Sequence, residues 1–299
     1  MEAGNTIMMN SLKSQGSWLR AIAIFGLTGL ASCSGTGGGA DAPLAPVIVS
    51  EVDRKEMVLI PAGEFVMGTN KTDPENMHQK IGTVKPLYLD QHPEHKVNLE
   101  AYYIDRYEVT NREYQAFLDD TGYPDVPGNW ENGMFLPGRE NHPVTHVTWQ
   151  EALTYALWAH KRLPSEAQWE KAARGPNGNL YPWGNEYQKG KGNIAIEGAR
   201  DTAPVGSYPG DVSFYQVYDM AGNAMEWTRD WYRPYPGNTY NDSRFGEKFR
   251  VLRGTSYQKA GHYFLDAYQF AFARTEVDPE GYYENVGFRC VFIPSQRHS

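Results

Sequence analysis

Residues 217–232 read VYDMAGNAMEWTRDWY. Gly222 and Asn223 are turn formers and Trp227 and Trp231 are large apolar anchors, so the stretch predicts a buried turn running into a tryptophan-rich strand. Glu226 is out of place next to those indoles, because a carboxylate is costly to bury unless it is paired, hydrogen-bonded or bound to a cation. Either it lies on an exposed strand face, or it joins Asp219 and backbone carbonyls of the turn as an oxygen ligand for Ca²⁺, which takes about six to eight hard oxygens.

Upstream, three helix starts share one signature. Thr110-Asn-Arg-Glu113, Thr148-Trp-Gln-Glu151 and Ser165-Glu-Ala-Gln168 are capping boxes, the first with Val109 and Tyr114 placed as a hydrophobic staple. Ala152, Leu153, Ala156 and Leu157 recur at helical spacing, as do Trp169, Ala172 and Ala173, which predicts one buried face on each helix. Arg174-Gly175 ends the third helix. Before them, MVLIPAGEFVMGT from Met57 predicts two short strands broken at Pro61-Ala62-Gly63, and KVNLEAYYIDRYE from Lys96 predicts more strand. After Gly175, turns dominate up to a closing Asn285-Val-Gly-Phe-Arg-Cys-Val291.

A chain of 299 residues with 40% hydrophobic and 13% aromatic content can bury one large core or two modest ones. Charged residues make up only 21%, while Gly (30), Tyr (20) and Pro (19) abound, which describes a loop-rich, aromatic-packed domain and not a helical bundle. The net charge of -8 argues against a nucleic acid partner.

The first 33 residues form a targeting segment. Lys13 and Arg20 are its positive region, Ala21 to Leu30 its apolar region, and Leu30-Ala-Ser-Cys33 has the pattern cut and lipidated in bacterial lipoproteins. The apolar run is too short to span a bilayer. An ordinary secretory signal is the alternative. Acylated Cys33 would anchor the chain to a membrane, and Ser34 after it points to the outer membrane of the cell envelope, facing periplasm or surface. Residues 34–56, rich in Gly, Ala and Pro, read as a flexible linker, leaving 57–299 as the folded domain. Cys290 has no second internal thiol to pair with.

The ordered motifs MVLIPAGEFVMGT, YYIDRYEVTNREYQAFL, HPVTHVTWQEALTYALWAHKRLPSEAQWEKAARG, YPWGNE, APVGSYP, YDMAGNAMEWTRDWY, RGTSY and NVGFRC resemble the formylglycine-generating enzyme, or sulfatase-modifying factor, family over Met57 to Phe292. The resemblance implies an irregular α+β fold related to C-type lectins, low in regular secondary structure and stiffened by calcium. It places calcium on Asp219, Gly222, Ala224 and Glu226, the two small residues through backbone oxygens. A second calcium set falls on Asn193, Ile194 and Asp201.

The implied copper site is different. Family enzymes hold Cu(I) on two cysteines five positions apart, a chemistry that needs soft thiolates. After Arg253-Gly-Thr-Ser-Tyr257 this chain offers Lys259 and Phe264, or Gly261 and Asp266 when counted back from Arg274, and no thiol. Copper is therefore not expected, and two functions remain. One is an envelope module that binds a protein, peptide or glycan, with Tyr257, Gln258, Tyr263, Tyr268 and Tyr282 on the ligand face, since Tyr gives contact area at low entropic cost. The same tyrosines could instead pack the interior. The other is an oxidoreductase with altered chemistry, metal-free or using nonheme iron, with Ser256, His262, Asp266 and Glu276 as candidate groups. Iron would want two His and a carboxylate. His142 and His146 flank Pro143, which excludes the helical i, i+4 metal geometry there.

Overall fold

A computed structural model describes residues 43–80, 82, 85–258 and 269–294. The folded unit runs from Leu44. Its first strand, β1 (Val47–Val49), pairs antiparallel with β2 (Glu56–Ile60), Val47 opposite Val58. The linker assigned to 34–56 is thus too long. Val47-Ile48-Val49 is β-branched, and Asp53 in the following turn binds the buried Lys161 at 2.7 Å.

The chain continues through β3 (Gly63–Met67), a one-turn helix α1 (Met77–Lys80), β4 (His95–Leu99) and β5 (Tyr102–Asp105). Three longer helices follow: α2 (Asn111–Thr121), α3 (Trp149–Trp158) and α4 (Glu166–Arg174). All three predicted capping boxes form in both directions, on Thr110, Thr148 and Ser165. Gly175 caps α4 as expected. Leu157 is the exception to the predicted buried faces. It is 59% exposed, because the inward stripe of α3 is carried by Ala152, Tyr155 and Ala156.

The remaining strands are β6 (Met225–Trp231), β7 (Arg250–Arg253), β8 (Arg274–Val277), β9 (Val286–Gly287) and β10 (Val291–Phe292). They give one sheet ordered β1-β2-β5-β10, a β3-β4 ribbon and a second sheet ordered β8-β7-β6-β9. The predicted tryptophan strand, β6, is central in the second sheet and runs parallel to β9. One core cluster sets Tyr114, Phe117 and Tyr155 of α2 and α3 against Trp227, Leu252 and Phe288. Another packs Trp169, Ala172 and Ala173 of α4 on Val58, Ile60, Tyr102 and Ile104. No helix among the described residues is long and apolar enough to cross a membrane.

Ion pairs inside the domain tie these layers together. Arg253 meets Glu166 at 3.0 Å and Glu170 at 2.7 Å, while Arg274 meets Glu166 and Arg174 meets Glu170, each at 2.7 Å. All five side chains are at most 5% exposed, so α4 is fixed to β7 and β8 by charges that have no water to turn to. Arg250 is held differently. Its guanidinium lies 3.7 Å from the ring centre of Trp149 and 3.4 Å from that of Trp231, a cation sandwiched between two indoles. Its hydrogen bond goes to the carbonyl of Arg229.

Candidate functional site

The GNAMEW turn is built by close backbone approach. A side chain on Gly222 would start 2.8 Å from the Asn193 carbonyl oxygen, so only glycine fits. Asn223 takes the left-handed conformation at φ 68° and donates its own backbone N–H to that same carbonyl. Its side-chain amide donates to Glu108 Oε2 at 2.9 Å, and Ala224 N–H donates to Glu108 Oε1 at 3.0 Å.

Glu226 is fully buried, and its partner is a side chain from the far end of the sequence. Arg289 donates from Nη2 to Oε1 at 2.7 Å and from Nε to Oε2 at 2.8 Å, and Trp169 Nε1 donates to Oε2 at 2.8 Å. Of the expected calcium set, Glu226 is turned to protein partners: both oxygens accept from N–H donors, and a divalent cation there would sit against a guanidinium. The residues of the second set are likewise engaged with protein partners. Asn193 turns its amide to the Asp201 carbonyl oxygen at 2.9 Å, and Ile194 is buried, but the Asp201 carboxylate faces away to pair with Arg139. Among the described residues no group of three or more His, Cys, Asp or Glu side chains is placed to hold a metal ion.

Asp219 begins the turn with φ 58° and accepts a hydrogen bond from Gly206 N–H at 2.7 Å. Burial, reinforced by the charge of Glu226, pushes its pKa up to about 6. Burial and the Asp219 charge raise Asp211, and burial with Asp219 and Glu226 raises Glu108, both well above the usual range. An acid raised in the folded state contributes stability that is present below its ordinary pKa and lost as pH rises through the folded value. Asp219→Asn, which keeps an oxygen and tolerates positive φ, should therefore stabilise the domain at pH 8 by on the order of 1 kcal/mol and change little near pH 4. Urea unfolding at the two pH values measures this, and an equal effect at both would show that the charge is not the cause.

A second region has the character of a ligand site. An open cleft of about 200 Å³ lies between the loop 126–146 and the segments around residues 201, 257 and 284. Trp130, Phe135 and Tyr257 give it aromatic walls, Asn129, Thr145 and Thr202 neutral polar groups, and Arg139, Asp201 and Glu284 its charges. Trp130 is fixed by its Nε1–H to Asn111 Oδ1 at 3.0 Å and meets Phe135 edge-on at 5.4 Å. His142 and His146 also line it, on extended and turn backbone with no helix, as Pro143 requires. His142 Nδ1 receives Arg139 Nη1 at 3.1 Å and lies 2.9 Å from the Thr202 hydroxyl. Burial lowers the pKa of both imidazoles, helped at His142 by Arg139 and opposed at His146 by Glu284.

Of the candidates expected at the ligand face, Tyr257 lines the cleft, with its hydroxyl donating to the Glu284 carbonyl at 3.4 Å, and Gln258 donates to the Glu284 carboxylate at 3.1 Å. Tyr282 is 57% exposed and donates to Glu151 Oε1. Ser256 does not fit a nucleophile: it is 1% exposed and its Oγ accepts from Asn285 Nδ2 at 2.9 Å. Glu276 is paired with Arg244. Cys33, His262, Tyr263, Asp266 and Tyr268 lie outside the described residues. Arg139, Asn129, Trp130 and Glu284 were not singled out from sequence. Their signal was the loop 126–146 itself, dense in polar and aromatic residues around HPVTHV.

The sulfatase-modifying factor enzyme 1-like domain model matches residues 46–293. Formylglycine-generating enzyme of Bos taurus is 32% identical over 292 aligned residues, covering 79% of this chain and 74% of that enzyme. Hercynine oxygenase of Mycolicibacterium smegmatis is 34% identical over 68% of this chain and 54% of that protein. Among solved structures, PvdO from Pseudomonas aeruginosa superposes with a TM-score of 0.61 at 28% identity, covering 84% of this chain and 99% of that one.

Proposed function

Because the chain belongs to the sulfatase-modifying factor family, we propose that it is a lipid-anchored envelope protein whose family domain binds a protein, peptide or glycan, and that it does not generate formylglycine with copper. The observation that carries this reading is the thiol inventory. The chain has two cysteines, Cys33 in the targeting segment and Cys290, and none between Arg253 and Arg274. Cys290 is 0% exposed beside β5, where Asp105 accepts its backbone N–H at 2.8 Å, and burial raises its thiol pKa far from reactivity. A two-sulfur copper site therefore has no ligands. The cleft beside Tyr257 supplies a surface of aromatic and neutral polar groups suited to recognition.

A second reading, an oxidoreductase of altered chemistry, is favoured by the likeness to hercynine oxygenase and by the two neutral imidazoles of the cleft. Elemental analysis of the purified protein for copper, iron, zinc and calcium separates the two. Copper below about a tenth of an equivalent and no dialysis-resistant iron support the binding module; stoichiometric copper or iron puts the oxidoreductase first. Cys290→Ala should leave metal content and ligand binding unchanged at a stability cost of about 1 kcal/mol. Loss of bound metal in that variant, with the fold intact by circular dichroism, would reinstate a thiolate site.

A further inference from the structure

We propose that the cleft takes a neutral, hydroxyl-bearing ligand of the saccharide class, read by His142 and His146. This rests on the cleft being the binding site proposed above. His146 is a non-glycine residue in left-handed backbone at φ 58°, a conformation that costs free energy and recurs at functional sites. Both of its backbone groups are tied down, the N–H to the Tyr283 carbonyl at 3.1 Å and the carbonyl to Gly128 N–H at 3.5 Å. Its ring, by contrast, makes no hydrogen bond to a described residue, although it is half-buried in the cleft wall.

The chemistry of the ligand follows from what the wall can donate and accept. Arg139 can only donate, so its contact at His142 Nδ1 fixes that nitrogen as acceptor and leaves the proton of the neutral ring on Nε2. His142 thus offers one donor of set position, and His146 one donor and one acceptor. A hydroxyl satisfies both kinds of group, and sugar rings also lie against aromatic rings, of which the partly exposed Phe135 lines this wall. Charge selects further. Among the described residues the wall has one guanidinium, already paired with Asp201, and no cation meets Glu284, so an anion gains nothing from them.

The test uses the full chain labelled with ¹⁵N-histidine, imidazole resonances assigned by single substitutions, and three disaccharides of different charge at pH 7.5: neutral chitobiose, its cationic deacetylated form, and digalacturonate. Chitobiose should shift the His142 and His146 resonances, with digalacturonate at least tenfold weaker. His146→Asn, which tolerates the same backbone conformation, should bind chitobiose at least tenfold more weakly with an unchanged or higher melting temperature. Undiminished binding by His146→Asn, or preference for either charged sugar, would overturn the inference while leaving the cleft a binding site. If no probe moves either resonance, the inference and the binding reading of the cleft both fall.

Discussion

Arg289→Met should cost about 3–5 kcal/mol, a large share of the roughly 5–15 kcal/mol by which ordinary domains are stable. The substitution removes more than one contact. Glu226 would be left fully buried with only Trp169 as donor, beside the raised carboxylates of Glu108 and Asp219, and the carbonyl of Tyr218 would lose its guanidinium partner at 2.9 Å. Burial works against the Arg289 charge, yet Glu226 raises its pKa, so the cation is present at any working pH. Glu226→Gln in the Arg289→Met background should recover part of the loss, because an uncompensated charge is then no longer buried. A double-mutant cycle by chemical denaturation reads the coupling, and additivity within about 0.5 kcal/mol would mean that the two side chains act independently.

Lys161→Met should be as damaging at pH 8 and distinctly less so at pH 5. Lys161 is 3% exposed and bridges Asp53 and Asp105, each at 2.7 Å, with Tyr155 donating to Asp53 as well. Burial would raise Asp53, but Lys161 holds its pKa below the usual value, so its stabilisation is present above the ordinary carboxylate range and lost as pH falls through the folded value. Burial raises Asp105 despite Lys161, and its stabilisation runs the opposite way. Without the ammonium both acids rise, and protonation then removes the buried charge. The expected deficit is about 3–5 kcal/mol at pH 8, shrinking as the pH drops. Urea titrations at the two pH values decide it, a constant deficit pointing to the packing of the lysine stem.

What could be read from the sequence was local. The three capping boxes, Gly175 and the turn into β6 are specified within a few residues of themselves, and each forms where expected. The partner of Glu226 is 63 residues away and that of Asp53 is 108, so no window of sequence contains either pair. Glu226 was rightly read as a carboxylate in need of compensation, and the compensating cation proved to be a guanidinium. The cleft was legible only as motifs: HPVTHV was visible, but the strain at His146 and the fixed ring of His142 depend on Tyr283 and Thr202 arriving from elsewhere. Val47–Val49 was hidden in a Gly- and Pro-rich neighbourhood, where composition outweighed a run of three residues.

Most of the buried cations in this domain depend on carboxylates, and acid takes such partners away. Arg250 makes no such ion pair among the described residues. Held between Trp149 and Trp231, with its pKa lowered by burial to about 10 against the more distant charges of Asp230 and Glu247, it rests in good part on ring electrons that no proton can neutralise and that dissolved salt screens little. One residue from each of three separate stretches of chain meets at that rivet. The far end of β6 is thus fastened by a tie that answers little to either acidity or ionic strength.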